Sequence, residues 1–125
     1  MARPPDISVL LPLRNAAATL REAVASVLMQ EGPSFELLAV DDGSEDESLT
    51  ILGELAMRDP RIRILQTESE ARGLVPALNL AFEKARAPLL ARMDADDVSL
   101  PGRFAEQFSA LESFPELSMV ATGAE

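Results

Sequence analysis

Residues 35–48 read FELLAVDDGSEDES, and the fold turns on how this stretch is parsed. Phe35–Val40, apolar but for Glu36, is a run too short for an ordinary helix, and Asp-Asp-Gly cuts it off as a turn signal. A short apolar run bounded by turns fits a strand buried on both faces. Ser44 and Glu47 stand three apart, as in a capping box, and Glu45, Asp46 and Glu47 suit the positive end of a helix. The stretch is predicted to be a strand, a turn and the start of a helix running to about Arg58.

The same grammar repeats on both sides. Upstream, ISVLLPL (Ile7–Leu13) is a β-rich run ended by Pro12 and Asn15. Leu20, Ala23, Val24, Val27 and Leu28 then recur at helical spacing, with Thr19 and Glu22 placed as a capping box and Gly32-Pro33 as a stop. Downstream, RIRIL (Arg61–Leu65) alternates like a strand with one wet face. Leu74, Val75, Leu78, Phe82 and Ala85 mark a third helix whose apolar stripe is expected to be core. PLLARM (Pro88–Met93) is a fourth strand, Phe104, Phe108 and Leu111 mark a fourth helix, and LSMVAT (Leu117–Thr122) is a fifth strand. Strands separated by single helices imply βαβ units, hence a parallel, Rossmann-like α/β/α sandwich.

Composition narrows the chemistry. One domain accommodates 125 residues, and 47% apolar content supports a real core. The absence of cysteine excludes disulfides, thiol catalysis and thiolate metal sites; the absence of histidine removes the commonest general base. A net charge of −10 argues against nucleic acid as a partner and is compatible with a cation, or with an anion brought in under one. No apolar run approaches the roughly 18 residues of a membrane span, and Met1–Asp6 is no signal peptide. A cytoplasmic location is expected, with room for peripheral attachment of a full-length enzyme to the inner face of the membrane.

In open parallel sheets, ligands bind outside the carboxyl ends of the strands. Pro12, Leu13, Arg14 and Asn15 fall at that end of the first strand and Asp41-Asp42 at that end of the second. LARMDADDVSLP (Leu90–Pro101) puts Asp94, Asp96 and Asp97 behind the fourth. Each piece alone has an ordinary reading. Asp-Asp-Gly-Ser is a common turn and cap, a D-x-D is a frequent solvated loop, and Arg14, Arg72 and Arg92 suit a wet surface. Their convergence on one edge is the informative feature. The chain has no G-x-G-x-x-G after its first strand and no phosphate loop, and its single lysine, Lys84, lies within the third helix. A diphosphate bound here needs a metal. A D-x-D offers the hard oxygen ligands that Mg²⁺ or Mn²⁺ shares with phosphate, and the cation offsets the repulsion among the carboxylates.

ISVLLPLRNAAATLREAVASVLMQ, FELLAVDDGSEDES, RGLVPALNLAF and LARMDADDVSLPGRFAEQ resemble successive blocks of the family 2 glycosyltransferases, in the family's order and over nearly the whole chain. The resemblance implies a GT-A fold, truncated here after the fifth strand. Residues 1–125 then form the nucleotide-sugar-binding part, without the acceptor-binding part. It implies transfer of a sugar, with inversion, from a nucleoside diphosphate sugar, a UDP-sugar first among them, to an unidentified acceptor hydroxyl. By the same resemblance Pro12, Leu13 and Arg14 line base and ribose, Asp42 recognises the base, and Arg72 approaches the donor phosphates. Asp94 and Ala95 contact the nucleotide sugar, Asp94 near the ribose and the metal, and Asp96 ligates Mn²⁺ or Mg²⁺ directly with Asp94 beside it. Asp97 and Pro101 shape the loop. Where many relatives carry an aromatic residue before the asparagine, this chain has Arg14. The general base is expected beyond Glu125, and the face left open there is a candidate for oligomerisation.

Two other classes fit part of the pattern. A phosphoacceptor receiver shares length, acidity and a five-stranded parallel order, but wants its acidic pair after the first strand and a lysine after the fifth. A non-catalytic nucleotide-sugar-binding module keeps the fold without the chemistry.

Overall fold

The computed structural model describes residues 4–69 and 72–96, together with Gly102 and Ala105. Strands and helices alternate: β1 (Ile7–Leu13), α1 (Leu20–Leu28), β2 (Phe35–Asp41), α2 (Ser48–Arg58), β3 (Ile62–Gln66), α3 (Leu74–Lys84) and β4 (Leu89–Arg92). The expected fourth helix at Phe104, Phe108 and Leu111 and the fifth strand at Leu117–Thr122 lie outside the described residues. Among the described residues every strand pairing is parallel and the order is β3-β2-β1-β4. The sheet grows from β1 to β2 to β3 and then returns to the other side of β1 with β4. That reversal makes the β1/β4 border the switch point, where an open α/β sheet parts its loops to admit a ligand.

β1 and β2 are buried along their whole length, which is why both read as nearly unbroken apolar runs. Val9, Leu11, Leu37 and Ala39 face one way and pack with Leu20, Val24 and Val27 of α1 and Leu52 of α2. Leu10, Leu38 and Val40 face the other way, onto Ala77 and Ala81 of α3. The α3 stripe corrects the sequence expectation. The fully buried positions are Ala77 and Ala81, with Leu78 and Ala85 partly buried beside them, while Val75 and Phe82 are 66% and 64% exposed and Leu74 is also exposed. Small residues let the helix lie close on the sheet and turn the bulky ones to its flank. β3 differs as well: Arg63 is half-buried rather than wet, because its guanidinium donates to Glu36 Oε1 and to the Lys84 carbonyl.

Neither expected capping box forms. The N-cap residues Thr19 of α1 and Glu47 of α2 make no side-chain capping bond. The Thr19 hydroxyl donates instead to the Ala95 carbonyl. The Ser44 hydroxyl accepts from the Asn15 amide, and α2 begins only at Ser48, whose amide donates to Asp46 Oδ1. In both cases the hydroxyl bonds a distant backbone group and makes no local cap.

At the amino ends of the strands, away from the switch point, Glu36 is 2% exposed. It accepts from the Ser8 hydroxyl at 2.6 Å, the Arg86 amide at 2.7 Å, Arg86 Nε at 3.0 Å and Arg63 at 2.8 Å. Burial pushes its carboxyl up, but these donors outweigh burial and hold it below the usual glutamate range.

Candidate functional site at the carboxyl edge of the sheet

Pro12 opens the site. Leu10 is the last β1 residue paired with β4, opposite Arg92, and its carbonyl accepts from the Met93 amide. Two residues on, Pro12 points its backbone to the same side but has no N–H to offer. Pairing ends there and the two chains part, while β1 stays paired with β2 through Pro12↔Val40 and Leu13↔Asp41. Leu13 is buried and Arg14 exposed. Asn15 follows at φ 51°, a left-handed conformation that asparagine tolerates better than most residues.

The loops after β1 and β2 are laced together. Besides accepting on Ser44, the turn receives the Glu45 amide on Asn15 Oδ1 at 2.7 Å. The Ala16 amide donates to Ser48 Oγ at 2.9 Å and the Ala17 amide to Asp46 Oδ2 at 3.1 Å. Hydrogen bonds from the Ser48 hydroxyl and amide, foremost among the causes, hold the exposed Asp46 carboxyl below its ordinary value.

Asp41 and Asp42 both end up buried. Asp41 Oδ1 accepts from the Ser44 amide at 3.4 Å and so orders the turn. Asp42 takes the Thr67 hydroxyl at 2.8 Å on Oδ1 and the Gly73 amide on both oxygens, at 2.9 and 3.0 Å. One carboxylate thereby joins the ends of β2 and β3 to the start of α3. Arg72 folds over this turn: a Cβ added to Gly43 would lie 2.5 Å from Arg72 Nε, and Gly43 sits at φ +82°. Gly43→Ala is therefore expected to cost about 1–3 kcal/mol through the left-handed backbone alone and to displace Arg72, read as a lower melting temperature.

Behind β4, Asp94 and Asp96 are exposed on either side of buried Ala95. Arg92 pairs with Asp94 Oδ1 at 3.2 Å, with both side chains about half exposed, a geometry worth little to stability. Among the described residues no group of three or more carboxylates, histidines or cysteines is placed to hold an ion. Two wet carboxylates fit a Mg²⁺- or Mn²⁺-type site, which takes one or two protein carboxylates and completes its shell with water and substrate phosphate. The structure thus brings Pro12, Leu13, Arg14, Asp42, Arg72, Asp94, Ala95 and Asp96 to one edge. Asp97 and Pro101 lie outside the described residues. Thr67 and the backbone of Gly73 were not legible as partners of Asp42; a hydroxyl directly after a strand end was the only signal.

The chain matches the family model described as Glycosyl transferase family 2 over residues 8–123. It is 34% identical over 120 residues to EpsE of Bacillus subtilis, covering 95% of this chain and 43% of that protein. Among solved structures, TarS 1–349 of S. aureus in complex with UDP-GlcNAc superposes with a TM-score of 0.76 at 25% identity, over 86% of this chain and 31% of that one. The mannosyltransferase PcManGT of Pyrobaculum calidifontis, in complex with GDP-Man and Mn²⁺, gives 0.69 at 27% identity, over 77% and 29%. The chain spans less than half the length of each of these relatives. No helix among the described residues is long and apolar enough to cross a membrane. Of the two carboxylates after the second strand, Asp42 is bound up with Thr67 and Gly73 and Asp41 with the Ser44 amide. By its matched residues and its Rossmann-like parallel sheet, the chain belongs to glycosyl transferase family 2, with the GT-A fold.

Proposed function

We propose that residues 1–125 bind the donor of an inverting, metal-dependent glycosyltransferase, a nucleoside diphosphate sugar with UDP-sugars first among the candidates. The observation that carries this reading is the parting of β1 and β4 at Pro12, with Asp94 and Asp96 on one lip and Asp42 at the neighbouring strand end. The complexes of TarS with UDP-GlcNAc and PcManGT with GDP-Man and Mn²⁺ support it by analogy.

In this reading Pro12, Leu13 and Arg14 line base and ribose, and Asp42 accepts from the base. Arg72, carried over Gly43, approaches the phosphates. Asp96 and Asp94 would hold Mg²⁺ or Mn²⁺, which when bound stabilises negative charge on the departing diphosphate. The acceptor oxygen attacks the anomeric carbon as the bond to the diphosphate breaks on the opposite face, and the hydroxyl proton passes to a carboxylate base. We assign that base and the acceptor pocket to the part of the longer enzyme downstream of Asp96. We likewise assign the enzyme to the cytoplasm or the inner membrane surface.

The test is a thermal-shift titration of this chain with UDP and GDP, each with and without Mn²⁺. Stabilisation that requires the metal is the expected result; equal shifts with and without it overturn the metal role. Asp42 supplies a further check. Asp42→Asn keeps the side chain's size but replaces one accepting oxygen with a donor, and is expected to weaken nucleotide binding by about 1–3 kcal/mol. An equal loss for inorganic diphosphate would place its role in phosphate binding or in holding Gly73, not in reading the base.

A further inference from the structure

We propose that Thr19 is a positioning residue for the Asp94–Asp96 pair, orienting both carboxylates through the backbone of Ala95 without touching donor or metal. The inference rests on the donor-site reading given above.

Two exposed carboxylates on a loop are a poor cation site unless something holds their spacing, because ordering them on binding costs conformational entropy. Ala95, the residue between them, is held twice. Its side chain is buried with the main core cluster, which also packs against Ala16 and Ala17. Its carbonyl accepts from Thr19 Oγ1 at 2.9 Å, across 76 residues of sequence. With side chain and carbonyl both fixed, the peptide planes leading to Asp94 and Asp96 have little freedom left.

Thr19 is itself anchored. Its amide donates to the Ala16 carbonyl at 3.1 Å, and the Ala16 and Ala17 amides are tied to Ser48 and Asp46 of the next loop. The hydroxyl therefore projects from a braced turn. Thr19 also stands at the N-cap of α1, where a threonine ordinarily accepts from an amide of the first turn, yet no such bond forms. Thr19 lies at φ −117° and ψ −13° rather than in the extended region of an ordinary N-cap, and its hydroxyl hydrogen goes to the Ala95 carbonyl at 2.9 Å, with the Ala16 carbonyl a longer second acceptor at 3.5 Å. A hydroxyl whose proton is committed 76 residues away, at a position where it makes no cap, fits a role at the acidic turn. Thr19 thereby couples the first β-α loop to the last described acidic residues, across the β1/β4 border where the donor is proposed to enter.

The experiment titrates Mn²⁺ at fixed UDP and reads the metal concentration that gives half the nucleotide-dependent rise in melting temperature. Thr19→Val keeps the shape and deletes the donor; Thr19→Ser keeps the donor and deletes the methyl. Thr19→Val is expected to raise the Mn²⁺ midpoint roughly three- to tenfold, the worth of one hydrogen bond. Thr19→Ser is expected to restore it. Thr19→Ala deletes the same donor with less steric risk and replaces valine if that variant does not fold. The parent midpoint in a donor-less variant, while Asp96→Asn abolishes the metal response, overturns the role of Thr19 and leaves the donor site standing. An equal loss in Thr19→Ser also overturns it, since packing of the methyl then carries the effect. A parent that binds UDP without regard to Mn²⁺ overturns the donor-site metal itself, and this inference with it.

Discussion

Glu36→Ala is expected to lower stability by about 3 kcal/mol, toward the lower end of what breaking a buried ion pair costs, and the melting temperature by roughly 10 °C. The carboxylate is 2% exposed and takes donors from β1, β3 and the α3–β4 connection. Its removal strands the buried Ser8 hydroxyl and the Arg86 amide. Arg63 and Arg86 lose less, because both are partly solvated and can rehydrate. The pH dependence has a definite sign. The folded carboxyl lies below its ordinary value despite burial, so the unfolded chain binds the proton more readily. The stabilisation is present above the ordinary glutamate value and is lost as pH falls through the lowered one. A parent that loses stability on acidification beside a Glu36→Ala variant with a shallower acid limb would bear this out. Identical acid limbs, or a loss under about 1 kcal/mol, would refute it.

Asp96→Asn should remove most of the metal-dependent stabilisation by nucleotide while leaving the metal-free stability within about 0.5 kcal/mol of the parent, as for an ordinary surface substitution. Asp96 is exposed, and none of the hydrogen bonds that hold the described loops runs through its side chain. Asparagine keeps the volume but gives up the anionic oxygen that hard cations prefer. At nucleotide a hundredfold above its dissociation constant the parent gains about 2.7 kcal/mol, so loss of that gain is readily seen in a melt. Retention of the full metal-dependent shift would mean that the cation sits elsewhere. Asp94→Asn tests the second ligand separately, since its partial pairing with Arg92 gives it a competing role.

Much of the fold could be read from local pattern. β1 matches its expected span residue for residue, β2 differs by a single terminal residue, and α2 ends at Arg58 as expected. Those readings needed only an apolar run, a turn signal and a period, and each of these acts within a few residues. The gathering of Pro12–Arg14, Asp42 and Asp94–Asp96 at one edge followed from the general placement of ligands at carboxyl strand ends, once the strands were identified.

What the sequence by itself determined is thus the order of elements, the parallel sheet and the edge on which its polar residues collect, because these depend on short-range periodicity and chain direction. Tertiary structure alone decided the partners of the polar groups. Thr19 and Ser44 stood in sound capping patterns, yet Ala95 and Asn15 claimed their hydroxyls from 76 and 29 residues away. Glu36 was passed over inside an apolar strand because its partners Arg63 and Arg86 lie 27 and 50 residues off. Leu74, Val75 and Phe82 of the α3 stripe turned outward, while Leu78 and Ala85 stayed against the core, because Ala77 and Ala81 take the fully buried positions on the sheet. A hydrogen bond or close contact depends on which atoms the folded chain brings within about 3 Å, and sequence separation carries no information about that distance.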